Sequence, residues 1–216
     1  MTDHDRVRHR RVQYDSVGIE PDDLHPDPVE QWHRWHRWAD TVGAIEPNAM
    51  TLATVDAEGR PDARVLLVRG VDERGLTFFS NYESAKSRQL AGRPAAAATF
   101  AWLDLHLQVR VRGRVERITD AENDEYFASR PRASQIGAWA SPQSEELIDR
   151  AELEGRVEAA VERFASLPTV PRPPFWGGWR LVPAAWEFWS GRPSRLHDRV
   201  AYLPIDGGWR RVRLAP

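Results

Sequence analysis

The sequence of 216 residues has no cysteine, one lysine and two methionines. Without cysteine, a disulfide framework, a thiolate metal site and a cysteine nucleophile are all excluded. The chain also lacks any apolar run of the roughly 18 residues that span a membrane. Its polar N-terminus, with Asp3 and Asp5, has no apolar centre of the kind found in signal peptides. We therefore expect a cytoplasmic protein with no membrane partner.

An excess of positive charge is absent too, because thirty basic residues are outnumbered by thirty-two acidic ones and the net charge is -2. Proteins dedicated to nucleic acids usually carry a basic excess, so we expect no nucleic-acid partner. Lys86 is the only lysine, and the other twenty-nine basic residues are arginine. A compositional bias accounts for the arginines but leaves open why one lysine is kept.

Ten tryptophans stand out among the residues that are present. Asp27 and Pro28 form a helix start signal, and the pattern predicts a helix to about Val42. Trp32, Trp35 and Trp38 repeat every three residues, which places them near one face of that helix. Packing into the core is the favoured interpretation, with a ligand or partner surface as the alternative.

The remaining pattern predicts one α+β domain over residues 27–216, mainly antiparallel β, after a flexible N-terminal arm at residues 1–26. Short strands joined by turns, with helices at the margins, indicate a sheet that closes into a barrel, with a late β extension at about residues 172–216. The predicted strands are residues 50–55, 63–68, 76–80, 95–102, 105–115, 176–182, 185–190, 200–203 and 208–214. The further predicted helices are residues 84–91, 119–129, 134–140 and 144–164.

Familiar catalytic motifs are missing: the sequence has no Gly-rich phosphate loop, no His-Glu-x-x-His and no Gly-x-Ser-x-Gly. His33 and His36 have no further ligand at metal-binding spacing, so we expect no metal site.

Three segments instead place polar residues among apolar or aromatic ones: residues 130–144, residues 186–199 and the strand from Arg64 to Arg69. Arginine and serine side chains suit phosphate oxygens. In the second segment an Arg-x-His-x-Arg alternation at residues 195–199 lets the three side chains point the same way from an extended chain. Each segment alone is also explained by surface ion pairs. Together they indicate a small ligand that carries a phosphate and a flat ring system.

Several motifs in these segments and elsewhere in the sequence resemble those of a known family. The sequence resembles pyridoxine/pyridoxamine 5'-phosphate oxidases from about Arg11 to the C-terminus, in order and with compatible spacing. The motifs are Glu46-Pro-Asn-Ala-Met50, Arg130-Pro-Arg-x-Ser134-Gln-Ile-Gly-Ala-Trp139, Trp176-Gly-Gly-x-Arg180, Glu187-Phe-Trp189, Arg195-Leu-His197-Asp-Arg199 and Arg213-Leu-Ala-Pro216.

The resemblance implies an FMN-binding split β-barrel that works as a homodimer, with its sites at the subunit interface and the C-terminal extension serving dimerisation. The FMN contacts that it implies are Arg64, Val65, Leu66, Leu67, Arg69, Phe79, Ser80, Lys86, Gln108, Gln143, Ser144, Trp189 and Arg199. The substrate contacts that it implies are Arg11, Tyr14, Arg69, Tyr126, Arg130, Ser134, Arg195 and His197. Arg195 and His197 are the expected catalytic residues, and Arg11 and Tyr14 belong to an arm that closes over the substrate.

The implied reaction oxidises pyridoxamine or pyridoxine 5'-phosphate to pyridoxal 5'-phosphate with O2 as the acceptor and H2O2 as a product. Two positions depart from the family pattern: Arg69 replaces a usual lysine, and Ala85 replaces an arginine, for which Arg88 is a possible substitute. The departures leave two alternatives open, a phenazine-type flavin oxidase that acts on a different ring and a non-catalytic flavin- or pyridoxal-phosphate-binding protein.

Overall fold

The computed structural model describes Gln13, Tyr14, Ser16 and residues 18–216. The helices in this part of the chain are α1 (Pro28–Thr41), α2 (Ala85–Gly92), α3 (Asp120–Ser129), α4 (Arg132–Ala140) and α5 (Arg150–Phe164). The strands are β1 (Ala49–Val55), β2 (Pro61–Leu67), β3 (Gly70–Asp72), β4 (Gly75–Asn81), β5 (Ala95–Trp102), β6 (Leu107–Arg117), β7 (Trp176–Ser190), β8 (Asp198–Ile205) and β9 (Gly208–Leu214). None of the described helices is both long and apolar enough to span a membrane.

The strands are hydrogen-bonded in the order β2-β1-β5-β6-β7-β4-β3, with β8 paired to β7 and β9 to β8. The β1–β2, β3–β4, β4–β7, β7–β8 and β8–β9 pairs are antiparallel, as predicted. The described residues divide into two compact units, the first made of those up to residue 48 with residues 99–111 and 184–216, and the second of residues 49–98 and 112–183.

In the first unit, α1 begins where its start signal predicts, because the Asp27 carboxylate accepts a hydrogen bond from the backbone N–H of Val29. Trp32 and Trp35 are buried, and the ring of Trp35 lies 5.1 Å from that of Phe188. The prediction of a common face is wrong for Trp38, which is 47% exposed. Six helical residues correspond to about 600° of rotation, so Trp38 lies about 120° away from Trp32.

The C-terminal strands of the first unit hold the segment that precedes α1. Leu24 is buried, and the Tyr202 hydroxyl donates to the carbonyl of His25 at 2.7 Å. Arg213 donates to the carbonyl of Ile19 at 2.9 Å. These contacts fall within residues 18–26 of the predicted arm; of its earlier positions, only Gln13, Tyr14 and Ser16 belong to the described residues.

In the second unit, the predicted start of α3 is confirmed, since Thr119 and Glu122 form a reciprocal capping box. The predicted start of the last helix at Ser144 is wrong. Ser144 has a φ of 75°, a left-handed conformation that a right-handed helix cannot continue, and α5 begins only after Asp149, whose carboxylate accepts from the backbone N–H of Glu152.

Strand β7 also differs from the prediction, because it runs without a break where two strands, residues 176–182 and 185–190, were expected. Pro183 suggests a break since proline lacks a backbone N–H. In the structure, β7 pairs with β4 up to Leu181 and with β8 only from Trp186 onward. Pro183 therefore lies between these two paired stretches, where it removes no hydrogen bond to β4 or β8. The short strand β3 is absent from the prediction.

Candidate active site

The second unit contains a cavity of about 610 Å³. Eight of the predicted site residues line it: Leu67, Arg69, Phe79, Ser80, Tyr126, Arg130, Ser134 and Gln143. The lining residues that the sequence did not single out as site residues are Asn81, Ser129, Pro131, Gly137, Ala138, Ser141 and Trp176. The structure therefore gathers predicted cofactor contacts and predicted substrate contacts around one space.

The end of α3 and the start of α4 bring the polar residues of the substrate set to this cavity. Helix α3 ends at Ser129, and Arg130 has extended backbone angles because a proline follows it. Pro131 then precedes α4, in whose first turn Ser134 lies. The Arg-Pro-Arg-x-Ser motif thus makes a sharp corner between two helices, and Arg130 and Ser134 both line the cavity there.

Stacked aromatic rings form one wall of the cavity. The rings of Phe79 and Tyr126 are almost parallel, with centroids 3.8 Å apart, and Trp176 stacks on Phe79 at 5.3 Å. The Arg130 guanidinium lies 4.6 Å from the centroid of the Trp176 ring, in a cation–π contact. A flat guanidinium that stacks in this way is oriented by its neighbours before any ligand binds.

Arg130 has an unused hydrogen-bond donor inside the protein. Its Nη1 atom is buried and has no hydrogen-bond partner among the described residues. Burial lowers the pKa of Arg130, and the positive charge of Arg69 lowers that pKa further, although the nearby Tyr126 opposes this. An arginine remains charged at neutral pH even so, and a buried donor without a hydrogen-bond partner is unfavourable. A bound anion would accept a hydrogen bond from this Nη1 atom and balance the positive charge of Arg130.

Lys86 lies in a cluster of neutral oxygen atoms. Its ammonium group donates to the side chains of Gln143 at 2.8 Å, Ser80 at 3.1 Å and Ser84 at 3.3 Å. Burial lowers the pKa of Lys86, and the positive charge of Arg64 acts in the same direction, against the effect of Asp62. Hydroxyl and amide groups around a lysine can all turn toward a phosphate oxygen, so this cluster suits an FMN phosphate.

The other predicted cofactor contacts of the second unit lie on β2 or after α4. Arg64 donates to the carbonyl of Leu52 at 3.0 Å and pairs with Asp62 at 2.5 Å, so its guanidinium is already partly engaged. Val65 is 68% exposed on the same strand, and Leu66 pairs with Met50 in the β1–β2 ladder. The Ser144 hydroxyl accepts from the backbone N–H of Ala85 at 3.2 Å, beside Lys86 in sequence.

Arg88 does not join the Lys86 cluster. Its guanidinium donates to the backbone carbonyl of Glu83, and no contact between Arg88 and Lys86, Ser80 or Gln143 is present in the described structure. The charge that Ala85 lacks relative to the family pattern is therefore not replaced by Arg88 in this conformation.

The first unit holds a second group of predicted residues, built from aromatic rings. Tyr14 makes edge-to-face contacts with His197 at 5.5 Å and Trp189 at 6.0 Å, and with His106, which was not predicted, at 4.5 Å. Nδ1 of His197 accepts a hydrogen bond from the backbone N–H of Arg192 at 3.0 Å. Burial lowers the pKa of His197, and the charge of Arg195 lowers it further against the effect of Asp198. Both effects favour the neutral imidazole, and because Nδ1 accepts a hydrogen bond, the proton of that form is on Nε2.

The predicted alternation of residues 195–199 is wrong. Arg195 lies in a 3-10 turn with a φ of 65°, and β8 begins only at Asp198, so the three side chains do not follow one extended chain. Arg195 is exposed. Arg199 pairs with Glu187 at 2.9 Å. Gln108 lies half-buried on β6.

Three further positions complete the account of the predicted and missed residues. Arg11 lies outside the described residues. Trp176 contacts Arg130 and Ser84 contacts Lys86, but neither was predicted as a site residue. Trp176 belongs to a Trp-Gly-Gly motif that resembles the family, and this was the only signal that could have identified it.

Two family models match the chain. The first, described as pyridoxamine 5'-phosphate oxidase, matches residues 40–163, and the second, described as the pyridoxine 5'-phosphate oxidase C-terminal dimerisation region, matches residues 176–216. The chain belongs to the pyridoxamine 5'-phosphate oxidase family. The resemblance seen in the sequence is thereby confirmed.

Relatives in the pyridoxamine 5'-phosphate oxidase family match nearly the whole chain. The pyridoxine/pyridoxamine 5'-phosphate oxidase of Cupriavidus taiwanensis is 55% identical, over 95% of this chain and 97% of its own. The protein of the same name from Burkholderia thailandensis is 52% identical, with the same coverage.

Solved structures confirm the predicted α+β split-barrel fold class of the pyridoxamine 5'-phosphate oxidase family. PhzG from Burkholderia lata, in complex with tetrahydrophenazine-1-carboxylic acid, superposes with a TM-score of 0.86 at 31% identity, over 95% of this chain and all of its own. A related FMN-binding protein from Nostoc punctiforme, with a TM-score of 0.70 at 19% identity over 89% of this chain and all of its own, is similar in fold.

Proposed function

We propose that this protein oxidises pyridoxamine 5'-phosphate and pyridoxine 5'-phosphate to pyridoxal 5'-phosphate, with FMN as cofactor and O2 as acceptor. The observation that carries the proposal is the buried, unpartnered Nη1 atom of Arg130 in a cavity that Tyr126 and Ser134 also line. This donor set suits a phosphate group, since a guanidinium and two hydroxyls offer several hydrogen bonds to its oxygens. The name that the Cupriavidus relative carries supports the same substrates.

FMN would be held through its phosphate by Lys86, Ser80 and Gln143, whose side chains already contact one another. Arg64, Ser144, Gln108, Trp189 and Arg199 remain proposed contacts. When bound, FMN supplies the two-electron oxidation of the substrate carbon and its own reoxidation by O2 to give H2O2. The side chains of the protein therefore have to bind and orient FMN and the substrate.

The roles of the protein side chains follow from their chemistry. Arg130, Tyr126, Ser134 and Arg69 would hold the substrate phosphate and thereby fix the distance of the pyridine ring from that end of the site. The neutral form of His197, whose Nδ1 accepts from the backbone, can donate one hydrogen bond from Nε2 to a ring substituent. Arg195 would add a positive charge beside the ring, and Tyr14 would cover it together with Arg11.

The protein would act as a homodimer. The match of residues 176–216 to a region described as a dimerisation region supports this assembly. Sites at the interface would complete the substrate-phosphate cavity with residues of a second chain.

A phenazine-type oxidation is the second candidate, because the PhzG structure that matches at a TM-score of 0.86 contains a phenazine carboxylic acid. A carboxylate substrate would use fewer of the donors around Arg130 than a phosphate does. This second candidate predicts turnover of a reduced phenazine carboxylic acid, such as tetrahydrophenazine-1-carboxylic acid, in preference to phosphorylated vitamers.

Aerobic turnover by the FMN-loaded protein tests the proposal. We expect pyridoxal 5'-phosphate and H2O2 in equal amounts from pyridoxine 5'-phosphate, followed by absorbance and by a peroxidase-coupled assay. Peroxide from tetrahydrophenazine-1-carboxylic acid alone would favour the second candidate. Binding of FMN with no peroxide from either substrate would instead indicate a non-catalytic binding protein.

A further inference from the structure

We propose that Glu122 is a positioning residue, which holds helix α3 in the rotation that presents Tyr126 and Arg130 to the substrate phosphate. The proposal rests on the function proposed above for this cavity. Glu122 itself does not line the cavity, so its effect on the reaction must pass through the helix.

Both carboxylate oxygens of Glu122 are fully engaged. Oε1 accepts from Arg180 at 2.7 Å and from Arg74 at 2.9 Å. Oε2 accepts from the backbone N–H and the hydroxyl of Thr119, at 3.0 and 2.9 Å. One side chain therefore caps the helix and also joins it to strand β7, through Arg180, and to the turn before β4, through Arg74.

The geometry of α3 relates the contacts of Glu122 to the residues at the cavity. Residues 122 and 126 are four apart and therefore lie on the same face of α3, and Arg130 follows four residues later at the end of the helix. A rotation of α3 about its axis would move Glu122 and Tyr126 together. The contacts of Glu122 thus restrict the direction in which Tyr126 and Arg130 point.

Strand β7 provides the residues that α3 contacts, both at Glu122 and near the cavity. Arg180 and Trp176 are four residues apart on this strand, so they project from the same face of the sheet. Trp176 contacts Arg130 at 4.6 Å, and its ring is parallel to that of Tyr126 at 6.2 Å. The helix and the strand are therefore joined at two places, by the Glu122–Arg180 ion pair and by the stack on Trp176.

The Glu122–Arg180 pair is more than a surface ion pair. The Arg180 side chain is only 9% exposed, and its Nε atom is buried without a partner in the described structure. Removing the charge of Glu122 leaves the buried Arg180 cation poorly compensated, and such a cation moves or draws in water. The Lys86 cluster does not depend on these contacts, since it is built on α2, β4 and the segment after α4.

The chain offers a matched control in Glu152. It accepts a hydrogen bond from the backbone N–H of Ile148 at 2.8 Å and pairs with Arg156 at 2.9 Å, so it also combines a backbone contact at a helix start with an ion pair. Its helix, α5, contributes no residue to the lining of the cavity. Glu152→Gln therefore removes the same charge from a helix that packs on α4 but has no side chain at the cavity.

The experiment compares Glu122→Gln, Glu152→Gln and the unchanged protein, all loaded with FMN. For Glu122→Gln we expect the KM for pyridoxine 5'-phosphate to rise about tenfold or more, because small displacements of positioning groups have effects of this order. The affinity for inorganic phosphate, measured by calorimetry on the FMN-loaded protein, should fall in parallel. The FMN dissociation constant and kcat should change less than about twofold, and Glu152→Gln should change none of these values.

A purely structural role predicts another outcome, in which Glu122→Gln lowers the Tm but leaves KM and phosphate affinity as they are. That result overturns the proposal, and so does an equal weakening of FMN and phosphate binding. Where Glu122→Gln does not fold, Arg180→Met removes the buried partner on β7 and replaces it with an apolar side chain. An unchanged KM and phosphate affinity in that variant is likewise contrary to the proposal. Failure of the unchanged protein to oxidise pyridoxine 5'-phosphate speaks against the proposed function instead, while phosphate affinity still tests Glu122.

Discussion

Two groups of cations in this molecule differ in what balances their charge. In the first unit, Arg213 pairs with Glu20 and Asp198, each at 2.6 Å, and Arg192 pairs with Asp198 at 3.5 Å. In the second unit, Lys86 hydrogen-bonds only to neutral side chains, and Nη1 of Arg130 is buried without a partner in the described part of the chain. Although arginine is abundant throughout the sequence, only some of its side chains are left to bind an anion. The comparison distinguishes cations that stabilise the fold from cations that are available to ligands.

Among the variants that test this distinction, we expect Arg130→Ala to have the largest effect. Charge-assisted hydrogen bonds contribute about 1.5–3 kcal/mol each, and every 1.4 kcal/mol is tenfold, so the KM for pyridoxine 5'-phosphate should rise about 10- to 100-fold. The FMN dissociation constant should change far less. Steady-state kinetics and a flavin fluorescence titration measure the two values.

Arg213→Ala is the matched control from the other group. Its ion pairs are partly exposed, and such pairs contribute less than about 1 kcal/mol each. We expect a small fall in the free energy of unfolding and no change in KM. If Arg213→Ala raised KM as much as Arg130→Ala does, charge balance would not distinguish the two groups.

Lys86→Met should act on the cofactor. Loss of one charge-assisted contact to the FMN phosphate should raise the FMN dissociation constant about tenfold or more. The KM for pyridoxine 5'-phosphate, measured at saturating FMN, should stay within about twofold. A rise confined to KM would place Lys86 in the substrate site and contradict the division between the two phosphates.

Arg69→Lys should have a smaller effect. Arg69 lines the cavity but is exposed, and exposed charges contribute about 0.2–1 kcal/mol, which corresponds to at most about fivefold in KM. The change also restores the residue that the family usually has there. A loss of activity as large as that of Arg130→Ala would mean that Arg69 is the main phosphate ligand.

The last expected effect concerns acid stability rather than ligand binding. The hydrogen bond from the Thr119 backbone and the Arg180 guanidinium lower the pKa of Glu122 from 4.5 to about 2. The stabilisation that this gives is present above about pH 4.5 and is lost as the pH falls toward 2, because the unfolded state then binds the proton more readily. In urea unfolding experiments the stability of Glu122→Gln should therefore fall less steeply over this range. Equal slopes for the two proteins would contradict the assignment of the low pKa to Glu122.

The sequence predicted most of the fold because its helix caps and alternating strands are local signals. Asp27 and the Thr119–Glu122 pair mark helix starts that the structure confirms. The errors arose where contacts between residues far apart in the sequence determine the local structure. Pro183 suggested a strand break, but the partners of β7 change around it. The helix predicted from Ser144 starts later because that residue is left-handed.

The site was less accessible to sequence reasoning than the fold. Motif resemblance identified Arg130, Ser134 and Lys86, which the structure places at one cavity or beside residues that line it. It did not identify the Trp176 ring as a platform for Arg130, because a stack between residues 46 positions apart leaves no local pattern. The turn at Arg195 could not be predicted from the sequence either, since an alternation of charged residues is also compatible with a strand.

Anaerobic reduction of the bound flavin tests the central claim most directly. The FMN-loaded protein is mixed without oxygen with pyridoxine 5'-phosphate or with unphosphorylated pyridoxine, and the flavin absorbance is followed. Because the unpaired cations of the cavity are proposed to select the phosphate, we predict rapid bleaching by the phosphorylated vitamer at concentrations at which pyridoxine has no effect. Equal bleaching by both compounds, or a flavin that stays oxidised with pyridoxine 5'-phosphate, would contradict the account.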